Sequence, residues 1–209
     1  MTTRSRRGRL PTTDRQQREQ EILDHALAEL LEMGIERVSM LGVARRAGAS
    51  KETLYSWFGN RDGLLAALIE RNADGAADKV RTALEQEADP RQTLIDFATG
   101  LVTLLTSDAS IGMNRAAMSS PPLARLLLTS GRYRVGTLVE TYLASLDRAG
   151  AVTVPDPADA FGLLYGLIVQ DLQIRVLLGG RPPSAAEIDA RSEVAVDRFL
   201  RLVTPRHQP

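Results

Sequence analysis

Apolar residues recur at helical spacing along most of the chain, and the breaks between these runs predict an all-α protein with no strand pattern. The stretch Thr13 to Met33 places Ile22, Leu23, Ala26, Leu27, Leu30 and Leu31 on one helical face, and Gly34 ends it. Ser39 is suited to cap a second, short helix through Ala47, with Leu41, Val43 and Ala44 on its buried side and Gly48 as its stop. Ser50 caps a third helix carrying Leu54, Tyr55, Trp57 and Phe58, closed by Gly59-Asn60. From Arg61 a long pattern through Leu64, Leu65, Leu68 and Ile69 runs to about Glu87, where Asp89-Pro90 breaks it. Further helices are expected over 91–107, 110–118, from Pro121-Pro122 to Arg148, from Pro157 to Leu178, and from Ser184 to about Val203.

A chain of 209 residues could form one compact domain or a small module fused to a larger one. Hydrophobic residues make up 44% and supply a sizeable core, whereas aromatics at 4% and few β-branched runs favour helices. The absence of cysteine removes disulfides and thiolate zinc sites. His25 and His207 lie far apart, one in a helix and one in a terminal tail, so neither a metal site nor a cofactor is expected. The basic N-terminus has no apolar run after it and no segment reaches membrane-span length, so a cytoplasmic location with no membrane partner is expected. Net charge is zero, but Arg4, Arg6, Arg7, Arg9, Arg15 and Arg18 meet only Asp14 before residue 19. Such a local basic stripe suffices for phosphate contact, although a solvated tail accounts for it equally well.

Two short helices joined through a glycine turn behind a longer supporting helix form the plan of a helix-turn-helix. Its packing conditions are met: Ala44 is small enough for a close crossing, Gly48 permits the turn, and Val43 and Leu54 plug the angle between the helices. The run Ser39-Met-Leu-Gly-Val-Ala-Arg-Arg-Ala-Gly-Ala-Ser-Lys-Glu-Thr-Leu-Tyr-Ser-Trp-Phe-Gly-Asn-Arg61-Asp-Gly-Leu-Leu65 resembles the DNA-binding signature of the TetR family. That signature has a hydroxyl cap, an alanine-glycine turn, a threonine-leucine-tyrosine recognition helix, an aromatic, and a basic residue before paired leucines. About 50 N-terminal residues carry the resemblance; the remainder matches in helix plan.

The resemblance implies that Lys51 and Thr53 approach base edges and phosphates of double-stranded DNA, that Tyr55 gives its hydroxyl to a phosphate, and that Ser39 donates to the DNA backbone. Arg61 stands at the family's usual lysine position. Sequence choice would rest on Lys51, Ser50 and Thr53, with Arg45 or Arg46 as further candidates, because only side chains reaching base edges discriminate. Phe58 and Trp57 read as core, Tyr55 as a surface contact. Gly42 departs from the family pattern and costs about 1 kcal/mol in a helix interior. The expectation is that it lets the backbone approach DNA closely.

These readings divide the chain into a basic flexible arm (1–12), a helix-turn-helix domain (13–60) and a helical ligand-binding and dimerisation domain (61–209). One helix-turn-helix binds too weakly to find a single genomic site, so a homodimer on a palindromic operator is expected. Pro157–Leu178 is apolar nearly all round, and Gly162 and Gly166 would let another helix come close. A partner's helix is favoured over one of the same chain, with Ile188, Ala195, Phe199 and Leu202 completing an intersubunit bundle as the family resemblance implies. Phe97, Leu101, Leu104, Met113, Met118, Leu138, Tyr142 and Tyr165, with Asn114 as a polar fixture, could line a mainly apolar cavity for a small-molecule effector. In the family, such a ligand moves the fourth helix and releases DNA. An enzyme is not expected: Gly131-Arg-Tyr-Arg-Val-Gly136 is only loosely a glycine loop and lies within a helical pattern. A helical scaffold that kept the fold and lost DNA contact remains the other alternative.

Overall fold

The computed structural model describes residues 12–85 and 89–204, and among these there is no strand. The expected arm with Arg4, Arg6, Arg7 and Arg9, and His207, lie outside the described residues. The chain divides into two compact units between Leu68 and Ile69.

The first unit contains α1 (Thr12–Met33), a 3₁₀ turn (Ile35–Arg37), α2 (Met40–Arg46), α3 (Lys51–Phe58) and the beginning of α4 (Arg61–Glu85). Ile22, Leu23, Ala26 and Leu30 of α1 are buried, as are Val43 and Ala44 of α2 and Leu54 and Phe58 of α3. The small and plugging residues therefore occupy the positions that a helix-turn-helix crossing requires. The phase of α2 differs from expectation by one residue. Leu41 is exposed, while Met40, Val43, Ala44 and Ala47 are buried, an i, i+3, i+4, i+7 stripe. Gly48 follows with φ +58°, which a glycine adopts without the Cβ penalty.

The second unit continues α4 and adds α5 (Pro90–Thr106), α6 (Asp108–Met118), α7 (Pro121–Leu127), α8 (Arg134–Arg148), α9 (Pro157–Val169), α10 (Leu172–Leu177) and α11 (Ala185–Val203). Start signals legible in the sequence are realised as caps: Asp89 and Asp156 precede prolines at helix starts, and Ser184 forms a reciprocal capping box with Glu187. Phe97, Val139, Leu164, Ile168, Val196 and Phe199 belong to one buried core.

Two expected helices differ from the structure. The helix expected from Pro121 to Arg148 is interrupted by a π-helical segment, Leu128–Tyr133. There the Thr129 hydroxyl donates to the Arg125 and Leu126 carbonyls at 3.0 and 3.1 Å, giving those acceptors a partner outside the backbone ladder. The helix expected from Pro157 to Leu178 breaks at Gln170, whose φ is +48°. Arg191 of α11 donates to the carbonyls of Ile168 (2.8 Å) and Val169 (3.1 Å), so a neighbouring helix satisfies the end of α9. Gly136 admits the ring of Phe161 between α8 and α9: a Cβ there would lie 2.8 Å from Phe161 Cε1.

Candidate nucleic-acid interface

The helix-turn-helix presents the start of α3 to solvent. Ser50 caps it, accepting from the Thr53 N–H at 3.1 Å, and its hydroxyl also meets the Thr53 hydroxyl at 2.9 Å. Lys51 is exposed with its ammonium 5.5 Å from the centre of the Tyr55 ring, and Tyr55 itself is 45% exposed. Phe58 is buried and Trp57 half-buried with the Arg15 guanidinium 5.3 Å above its ring, which separates Tyr55 from the core aromatics. Glu52 stands in the same turn as Lys51. A bond from its own backbone N–H, then one from Ser50, hold its carboxyl below the ordinary value.

Ser39 caps α2 by accepting from Gly42 N–H at 3.0 Å, which leaves its hydroxyl proton available to an external acceptor. Arg45 is exposed, whereas Arg46 is engaged in a two-point ion pair with Glu32 of α1. That pair raises the Arg46 pKa and lowers that of Glu32, chiefly through the hydrogen bonds between them. Arg61 does not reach outward either. Its Nε donates to the Val38 carbonyl at 3.0 Å and its Nη2 to that of Ile35, so it ties the start of α4 to the turn before α2. Both guanidinium groups are spent within the unit, on bonds between residues 14 to 26 positions apart that no local motif signals.

Two further residues shape the interface in ways the sequence does not signal, one of them, Arg18, being part of the basic stripe expected to meet phosphates. Arg18 donates to the Ala47 carbonyl at 2.5 Å and Gly48 at 3.4 Å while paired with Glu21, and so holds the turn between α2 and α3. Glu29, only 7% exposed, accepts from Ser39 N–H at 3.1 Å. Its carboxylate occupies the space beside Gly42: a Cβ there would sit 2.8 Å from Glu29 Cδ and Oε2. The glycine is thus accounted for inside the domain, and the expectation that it serves a close approach of backbone to DNA is replaced by this contact.

In the second unit, two neighbouring cavities of about 510 and 150 Å³ share Asn72, Ala76, Leu101, Leu104 and Val135 as a common wall. Of the expected lining, Phe97, Leu101 and Leu104 border the larger, and Leu101, Leu104, Asn114 and Tyr165 the smaller. Met113, Met118, Leu138 and Tyr142 line neither. Met113 is buried in packed surroundings, Met118 is 73% exposed, and Leu138 and Tyr142 are half-buried on α8. Helical phase alone could not tell which apolar face of α6 or α8 meets a void. Burial raises the Tyr142 pKa above its ordinary value.

The expected dimer residues divide in the same way. Gly162 and Gly166 are exposed, and no atom outside their immediate chain neighbours and helix backbone comes within 4 Å of where a Cβ would stand. Leu163, Ile174, Leu178, Val194 and Leu202 are exposed as well. Ile188, Ala195 and Phe199, in contrast, are buried in the core of their own chain and offer no surface to a partner. Their i, i+7, i+11 spacing marks one face of α11, and that face turns inward against α5 and α9.

Among the described residues no single helix is long and apolar enough to cross a membrane. Residues 22–68 match the profile of bacterial regulatory proteins of the tetR family, and residues 92–202 match that of the AefR-like transcriptional repressor C-terminal domain. A TetR-family transcriptional regulator from Mesorhizobium loti shares the fold with a TM-score of 0.83 at 22% identity, over 94% of this chain and 100% of that one. A TetR transcriptional regulator from Agrobacterium tumefaciens is 34% identical with a TM-score of 0.70, over 90% of this chain and 95% of its own. The HTH-type transcriptional regulator BetI of Escherichia coli K12 is 24% identical over 172 residues, 79% of this chain and 85% of BetI. A helix-turn-helix with its packing conditions met, followed by a helical domain matched over most of its length, makes this chain a DNA-binding transcriptional regulator of the TetR family.

Proposed function

We propose that the protein is a repressor that holds a palindromic operator as a homodimer and leaves it when a small molecule enters the second unit. The observation that carries this reading is the exposed start of α3, where Ser50, Lys51, Thr53 and Tyr55 stand together on a helix whose opposite face is core. Lys51, Thr53 and Ser50 are the proposed base-reading group, with Arg45 beside them; Tyr55 and Ser39 are proposed to position phosphates, aided at each helix start by the backbone N–H groups. Arg46 and Arg61 are assigned to holding the reading head in shape.

The exposed apolar residues of α9, α10 and α11 support dimerisation. The open Gly162-Gly166 stripe permits close helix approach, and Leu163 and Leu202 supply area that is costly to leave in water. Two heads spaced by a turn of duplex, about 34 Å, would multiply discrimination. Release is supported by α4: it contributes Asn72, Ala73 and Ala76 to the smaller cavity and is covalently continuous with Leu64 and Leu65 of the first unit. A ligand preferring one position of α4 would shift the population of dimer geometries. Selection from random duplexes tests the reading. It is expected to return a palindrome bound with a steep loss of affinity as salt rises; a folded dimer that enriches no site would overturn it in favour of a helical scaffold.

A further inference from the structure

The smaller cavity has an electrostatic character that its apolar walls conceal. It is bordered by Leu101, Leu104, Val135 and Phe161, with amide groups from Asn72, Asn114 and Gln173, and carries one cation, Arg132, with no carboxylate in its lining. Arg132 comes from the π-helical segment, a backbone form that recurs at functional sites. Its guanidinium carbon lies 3.9 Å from the centre of the Tyr165 ring and 5.8 Å from that of Phe161. The two rings meet edge to face at 5.9 Å. Among the described residues Arg132 has no ion-pair partner, unlike the neighbouring Arg134, which is paired with Asp74.

A guanidinium stacked on an aromatic face keeps its N–H edge free, and that edge matches a carboxylate through two parallel bonds. The volume, about 150 Å³, equals that of an apolar cavity able to hold benzene. We propose that this cavity takes a small aromatic carboxylate, with its carboxylate on Arg132 and its ring against Leu101, Val135 and Phe161. The inference rests on the ligand-responsive reading above and names the chemistry of that ligand. The larger cavity across the shared wall, with Ala83 and Phe97, gives room for an apolar substituent.

Calorimetric titration of the DNA-free protein with benzoate, benzamide and benzylammonium tests the proposal separately from operator binding. Benzoate should bind at least about tenfold more tightly than benzamide, the fold-change expected for bonds to a charged group, and benzylammonium should not bind. Arg132→Gln should lower benzoate affinity to that of benzamide while leaving benzamide affinity unchanged, which also reports that the cavity is intact. Equal affinity for benzamide, binding of benzylammonium, an unchanged benzoate affinity in the variant, or no benzoate heat at millimolar concentration would each overturn it. None of these results depends on whether a palindromic operator is recovered in the ligand-free selection.

Discussion

Replacing Gly42 with alanine sets two calculable effects of opposite sign against each other. In an unencumbered helix interior the substitution stabilises by about 1 kcal/mol, because glycine loses more backbone freedom on folding. Here the new Cβ would stand 2.8 Å from Glu29 Cδ and Oε2, closer than real Cβ atoms approach. The Glu29 carboxylate would have to withdraw from the Ser39 N–H that it accepts at 3.1 Å, from a position only 7% exposed. A hydrogen bond to a charged group contributes about 1.5–3 kcal/mol, so the net result is a destabilisation of about 0.5–2 kcal/mol. For a chain of this size that lowers Tm by about 2–4 °C per kcal/mol. Thermal unfolding of wild type, Gly42→Ala, Glu29→Ala and the double variant, at one protein concentration, measures it. With Glu29 already truncated, Gly42→Ala should become stabilising. Stabilisation in the wild-type background, or equal effects in both backgrounds, would refute the contact as the reason for glycine at this position.

Arg61→Lys should destabilise the first unit by about 1–2 kcal/mol in thermal or chemical unfolding, since an ammonium cannot span both carbonyls; an unchanged stability would overturn the assignment of Arg61 to those carbonyls. Lys51→Ala should weaken binding to the selected site by about 1–3 kcal/mol for each head and relax the sequence preference in competition with mismatched duplexes, with thermal stability retained. Gln170→Gly should stabilise by about 0.5–1 kcal/mol in chemical denaturation, because the φ of +48° strains a side-chain-bearing residue while glycine adds back only part of that cost in the unfolded chain. Bonds from Arg181, then from the Ser184 backbone and hydroxyl, hold Glu187 at about 2 against an ordinary 4.5. Its folded pKa is depressed, so its contribution is present above about 4.5 and lost as pH falls toward 2; Glu187→Gln should flatten Tm against pH in that window.

The helix-turn-helix was legible from residues close in sequence. Ser39, Ala44, Gly48, Ser50 and Leu54 act within a few positions of themselves, as caps, a turn and packing plugs, and their side-chain chemistry states those roles. Element boundaries at Asp89-Pro90, Asp156-Pro157 and Ser184 were legible for the same reason. Everything that depends on a distant partner was not. Arg46 and Arg61 looked like free cations until the fold brought Glu32 and two backbone carbonyls to them. Gln170 ends α9 where Arg191 supplies its capping bonds. Ile188 and Phe199 were apolar on the expected stripe, yet an amphipathic period does not say whether its face meets a partner or its own core. The sequence by itself determined the local structure and the family, because capping and periodicity act over one or two helical turns. Only the tertiary structure decided which cations are engaged within the fold, which apolar faces remain uncovered and where a cavity opens beside an arginine stacked on an aromatic ring, since each of these depends on what lies across from a residue rather than beside it.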